Sequence, residues 1–184
     1  MAATDRATRE QEIRAEMRKR ILRAADRKED WDAFAFEEPL DPNYHRAQIR
    51  YIGAGGSGKY ADDQVHPAGS FTLSIMKLPP DAGGPPHTHE VEEVFFCLRG
   101  EVVVFWWEDG IQVEETLQPW DMIFCPPGVH RGFRNDTTAD AYFQIMLGLS
   151  RPAMPRYADP RIDQLKAERE AALAAEHGTA APAS

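Results

Sequence analysis

The sequence predicts an all-β protein, a small antiparallel β-barrel or jelly roll with an N-terminal helix and a C-terminal helical tail. Three observations predict it. Short alternating or apolar runs follow one another between residues 70 and 147, separated by turn residues and without helical periodicity. Charged segments rich in strong helix formers stand only before and after that region. A length of 184 residues with 42% hydrophobic content suits one core with tails.

The elements follow in order. Residues 8–27 repeat Ile13, Met17 and Ile21 every four positions, and Glu10 with Arg14 and Glu16 with Arg20 form supporting pairs. This predicts a helix with one narrow apolar stripe, packed on the barrel or on a partner subunit. Its basic cluster is interleaved with acids and reads as a solvated face. Trp31, Phe34 and Phe36 give an apolar arm before Pro39 and Pro42. Residues 49–52 are a short strand, and residues 53–58 a glycine-rich loop that lacks the frame of a phosphate loop, because no Ser or Thr follows Lys59.

Residues 70–78 alternate, with Phe71, Leu73 and Ile75 on one face and Thr72, Ser74 and Met76 on the other, a strand with one apolar side. Residues 79–86 carry Pro79, Pro80, Pro85 and Pro86, and read as a rigid turn that interrupts the ladder and delivers His87. Residues 93–98 and 101–107 are consecutive strands joined at Arg99-Gly100. The second is apolar on both faces, which predicts burial inside the barrel and against a second sheet or a subunit. Asp109-Gly110 is the favoured pair for a two-residue type I′ turn, so residues 111–117 return antiparallel. Residues 122–125, 132–135 and 142–147 complete the series. Residues 159–176 form a charged helix, and residues 178–184 are expected to be disordered. The organisation is an N-terminal helix and arm over 1–69, one barrel over 70–150 and a tail over 151–184, with no internal repeat.

The chemistry is concentrated in residues 87–100. His87 and His89 share a face of an extended backbone, because side chains alternate with period 2. Glu93 follows four residues after His89, far enough for the chain to turn and bring a carboxylate back from the next strand. Strand parity selects Glu93 over Glu90 and Glu92, and places Phe95 and Cys97 inside with it while Val94, Phe96 and Leu98 face out. Two imidazoles and a carboxylate match the facial triad of non-haem Fe(II) oxygenases, which leaves coordination positions open. Phe95, Trp106, Phe133, Gln144 and Met146 are the pocket candidates, an aromatic-lined set suited to a small aromatic or unsaturated acid.

The spacing HxH, three residues, Glu, six residues, Gly100 resembles the first motif of the cupin superfamily. The stretch Pro126-Pro127-Gly128-Val129-His130-Arg131-Gly132-Phe133-Arg134-Asn135 is similar to the second, in which Pro-x-Gly precedes a metal-binding His and then an Asn. Aligned on Pro126, Gly128 and Asn135, the family's histidine falls on Arg131, with His130 one residue early. Asp81 and Trp120 stand where the family usually has glycine. The resemblance implies a single cupin barrel and a divalent metal ion, Fe(II) first, with Mn, Ni or Zn as alternatives. It implies the shell His87, His89, Glu93 and His130, with a bulge turning His130 inward. The alternative directs Arg131 inward, as a clamp for a carboxylate or oxyanion in the catalytic site. The implied function is a metal-dependent enzyme, first a dioxygenase acting on a small organic substrate, then an isomerase, decarboxylase or lyase, with a non-catalytic small-molecule-binding cupin as the third reading.

The formal net charge of −9 argues against a nucleic-acid partner, which needs a basic face. The first twenty residues contain no apolar run of signal-peptide or membrane-span length, so the expectation is a cytoplasmic protein with no membrane partner. Cys97 and Cys125 both fall in strands and read as buried, inert thiols. A strand apolar on both faces and a helix with a narrow stripe together predict a homodimer.

Overall fold

The computed structural model describes residues 3–57, 65–149 and 155–178. Helix α1 (Ala3–Arg18) is followed by strands β1 (Ala47–Ile52), β2 (Phe71–Leu78), β3 (Gly83–Thr88), β4 (Glu93–Arg99), β5 (Val102–Glu108), β6 (Ile111–Leu117), β7 (Met122–Cys125), β8 (His130–Arg134), β9 (Ala141–Gly148) and β10 (Arg156–Tyr157), and by helix α2 (Pro160–Gly178). Among the described residues the strands form two five-stranded sheets, β1-β2-β9-β4-β7 and β10-β3-β8-β5-β6, with antiparallel neighbours throughout. The all-β barrel expected from the alternating runs is the observed architecture. Asp109 and Gly110 have φ of 52° and 78°, the two positive values that a type I′ turn demands.

Alternation decides which side of each strand meets the core. Phe95 and Cys97 of β4, Val102 and Val104 of β5, Phe133 of β8, and Phe143 and Leu147 of β9 are all buried. Phe95, Phe133 and Phe143 pack edge to face at centroid distances of 5.5, 5.4 and 4.8 Å, pinning the two sheets together at the barrel centre.

Several expectations need correction. The apolar face of β2 is not the inward one: Thr72, Ser74, Met76 and Leu78 are buried, while Leu73 and Ile75 are only half-buried on the outer face. The inner surface is polar there, next to buried Gln48 of β1. The proline-rich segment is shorter as a turn than expected. Gly83–Thr88 is itself a strand, and its pairing with β8 skips between Gly84 and His87, where the two prolines have no N–H to offer. Helix α1 stops at Arg18; beyond it His66 Nε2 meets the Arg20 carbonyl at 2.9 Å, which holds the chain off the helical path. Ile13 and Met17 are exposed, so the stripe does not pack on the barrel. The arm does: Ala33, Phe34 and Phe36 join the core. Part of the glycine-rich loop, Pro152 and the terminal residues from 179 onward lie outside the described residues.

Asn135 is the polar keystone of the barrel. Fully buried, it donates from Nδ2 to the carbonyls of Leu78, Pro79 and Ala139 at 3.0, 3.0 and 2.8 Å. Its Oδ1 accepts from Thr137 N and Oγ1 at 3.0 and 2.7 Å. One side chain thereby closes the ends of β2 and β8 and the turn into β9. Asn135→Ala leaves these buried groups without partners, and should lower stability by about 2–4 kcal/mol in urea denaturation.

Candidate metal centre

His87, at the end of β3, and His89, just beyond it, meet Glu93 at the start of β4, as the i and i+2 spacing and the intervening turn require. All three are buried, and their ligand atoms lie within 4.8 Å of one another. His87 Nε2 stands 3.8 Å from Glu93 Oε2, and His89 Nε2 stands 3.7 Å from Oε1. His87 Nδ1 donates to the Pro85 carbonyl at 2.8 Å, which orients the ring with Nε2 toward the cluster.

Arg131 completes the group. Its Nε donates to Glu93 Oε2 at 2.8 Å, its Nη1 donates to the Val129 carbonyl at 3.0 Å, and its Nη2 lies 2.7 Å from the same Oε2 without a well-aligned hydrogen bond. Burial pushes the Glu93 carboxyl upward, but the His87 contact and the charges of His89 and Arg131 outweigh it and hold the group down at about 2. The carboxylate is therefore ionised throughout the neutral range.

The donor set fits a divalent ion. Two imidazole nitrogens and a carboxylate oxygen are borderline ligands, and bonds of about 2.1 Å at right angles separate neighbouring ligand atoms by about 3 Å. The observed 3.7 and 3.8 Å need a closure of under about 1 Å, and the limit of 4.8 Å on the whole set one of under about 2 Å. Arg131 holds Oε2 and leaves Oε1 for the ion, an outer-shell orientation of a ligand.

His130 is the correction. β8 pairs with β5 in unbroken register, Arg131 opposite Trp106 and His130 opposite Trp107, so no bulge turns His130 inward. His130 is exposed while Arg131 is among the most buried side chains. Arg131 does occupy the interior, but its guanidinium is engaged by Glu93. Gln144 and Met146 are also corrected: β4 pairs Phe95 with Ile145 and Cys97 with Phe143, so Ile145, Phe143 and Leu147 face in and the two named residues face out.

Phe133 joins the triad around a small pocket, together with Phe34, Ile145 and Leu147 and the polar Arg46, Gln48, Ser74 and Tyr157. Phe95 and Trp106 instead line a second pocket, which Arg131 also borders. The polar wall was not read from the sequence. Arg46 and Gln48 lie at the start of β1, where a strand is legible but nothing marks the inward face, and Tyr157 lies in a two-residue strand without a pattern of its own. Cys97 and Cys125 are free and buried; burial and the nearby Glu93 charge push Cys125 up to about 12.

Residues 74–147 match the family model described as the cupin domain, and both halves of the triad fall inside that span. Residues 74–147 are a cupin domain. Among solved structures, the polyketide cyclase RemF from Streptomyces resistomycificus is similar to this chain with a TM-score of 0.56 at 20% identity, over 76% of this chain and 84% of that one. The DMSP lyase DddQ from Ruegeria pomeroyi DSS-3 is similar at 23% identity and a TM-score of 0.47, over 61% of this chain and 51% of that one. An oxalate oxidase is similar at 16% identity and a TM-score of 0.49, over 64% of this chain and 56% of that one. The chain thus spans about half the length of the lyase and of the oxidase. No curated protein matches the sequence. Among the described residues, no helix is long and apolar enough to cross a membrane.

Arg131→Met should destabilise the metal-free protein by about 3–5 kcal/mol, since it strands a buried carboxylate. His130→Ala should cost under about 0.5 kcal/mol and leave metal content unchanged. Urea denaturation and elemental analysis check both. Because the folded Glu93 value is depressed, its contribution is present above the ordinary 4.5 and is lost as pH falls toward about 2.

Proposed function

We propose that this cupin is a metal-dependent enzyme acting on a small organic acid, and that its reaction is that of a non-haem Fe(II) dioxygenase. The observation that carries the reading is the buried His87, His89 and Glu93 cluster at the edge of a cavity, with arginine in place of a fourth ligand. Three protein ligands leave coordination positions for substrate and oxygen, and bound iron would supply redox chemistry there. His87, His89 and Glu93 hold the ion, Arg131 fixes the Glu93 carboxylate, and Phe133, Ile145 and Leu147 keep the cavity apolar around the reacting body of the substrate.

A second observation favours an oxygen-independent isomerase, decarboxylase or lyase as the next reading. Tyr157 stands on the wall of the same cavity, its hydroxyl donating at 2.7 Å to Oε1 of Glu37 behind it, a proton-bearing group that Lewis-acid chemistry would use. Elemental analysis of the purified protein should find about one divalent ion per chain, and His87→Ala or Glu93→Ala should lower it far below one with the fold intact. Turnover of small acids and phenols should consume oxygen. Equal turnover without oxygen supports the second reading, metal without turnover supports a binding protein, and full metal retention in both variants sinks the assignment.

We also propose a cytoplasmic homodimer. The outer face of the β1-β2-β9-β4-β7 sheet presents Phe71, Met122 and Phe124 partly exposed, and Trp120 beside it is 76% exposed, an apolar surface that a second copy would cover. Light scattering at micromolar concentration should give twice the chain mass, and Phe124→Lys should give the monomer.

A further inference from the structure

We propose that Arg46 recognises a carboxylate of the substrate, so that the cavity takes a small acid with one oxygen-bearing end at the candidate ion and an ionised carboxylate at Arg46. The inference rests on the proposed metal site for the first end, and on Arg46 alone for the second. Arg46 is 4% exposed and lines the same cavity as the triad. Its Cζ lies 4.2 Å from the Phe34 ring centroid and 5.6 Å from that of Phe133, which hold the guanidinium in place.

The hydrogen bonds of Arg46 are unevenly spent. Nη1 donates to Glu37 Oε2 at 2.6 Å, to the Tyr44 carbonyl at 3.0 Å and to the Gly83 carbonyl at 3.3 Å. Nε is buried and has no hydrogen-bond partner among the described residues. A buried donor with no acceptor is costly to leave unmade, and a ligand oxygen in the cavity is what would satisfy it. Glu37 is fully buried behind Arg46 and Tyr157 and does not line the cavity, so a ligand meets the donors rather than the counter-charge. Gln48 and Ser74, joined by a 3.4 Å hydrogen bond, continue the polar wall.

Charge favours an anion over a neutral acceptor. Glu93 offsets Arg131 and Glu37 offsets Arg46, so a divalent ion at the triad would leave the cavity doubly positive. A substrate that brings one negative charge to the ion and one to Arg46 balances it. The arginine clamp expected at position 131 therefore moves to position 46, since Arg131 is occupied by Glu93.

The probe is benzoate against its neutral analogue benzamide, titrated calorimetrically into the full chain, metal-free and zinc-loaded. Wild type should bind benzoate about tenfold more tightly than benzamide in both forms. Arg46→Lys should lose that preference, because the ammonium is a point charge drawn to Glu37 and presents no second donor edge to the cavity. The double variant Glu37→Leu/Arg46→Met removes both charges together without stranding either, and should bind the two probes alike. No preference in wild type, or a preference that survives in either variant, overturns the proposal. Metal content of the zinc-loaded samples separates the two claims: a protein that holds zinc but lacks the preference fails only the Arg46 assignment, and one that takes up no zinc but keeps the preference fails only the metal reading.

Discussion

The site depends on one buried charge. Glu93 is 3% exposed, and an ionised carboxylate at that depth survives only if its lost hydration is replaced. His87, His89 and Arg131 replace it together, Arg131 through a short hydrogen bond and a close charge to one oxygen. The other oxygen is turned toward His89, while His87 Nε2 faces the oxygen that Arg131 holds. This division decides much else. It makes Arg131 unavailable as a substrate clamp, and it leaves Oε1 beside His89 free of the guanidinium. It also ties β8 to β4 across the barrel, from one sheet to the other, through the Arg131 and Glu93 contact.

That arrangement explains how an arginine is accommodated at the position where a cupin's second motif has histidine. A cation facing a divalent ion with nothing between them would be repelled by several kcal/mol at an effective dielectric of about 20. Here a carboxylate would lie between them. The guanidinium then behaves as an outer partner of Glu93, and an ion held here would have three protein ligands. Three protein ligands in place of four would leave room for an exogenous ligand, and that difference follows from a single residue in β8.

What was legible in the sequence was whatever depends on local spacing. HxH and the offset to Glu93 are fixed by a strand, a turn and the next strand, and the structure brings those three together. The Asp109-Gly110 turn and the inward parity of Phe95 and Cys97 were equally local. Even the departures from glycine were informative, because Asp81 and Trp120 have φ of 62° and 80°, the left-handed conformation for which glycine is the usual choice. What was not legible depends on pairing between distant strands. The inward face of β9 is set by its register with β4, and a shift of one residue exchanges Gln144 and Met146 for Ile145 and Leu147. Arg131 and His130 are adjacent, so spacing alone could not choose between them; the register with β5 does.

Most of the cavity's polar wall comes from outside the span that carries the motifs. Arg46 and Gln48 precede it and Tyr157 follows it, while Ser74 falls at the first position of the cupin domain, residues 74–147. Arg46 and Tyr157 share Glu37, so the arm and the tail meet in one buried cluster over the barrel mouth. The triad and the aromatic core are thus encoded in the domain, and most of the polar groups of the wall are encoded in the flanks. A comparison confined to the domain can recover the barrel and the candidate donors but leaves out the arginine whose Nε has no partner among the described residues. The make-up of that wall is then a property of how the arm and the tail are docked, and a change at Glu37 would alter it by releasing Arg46 and Tyr157 together.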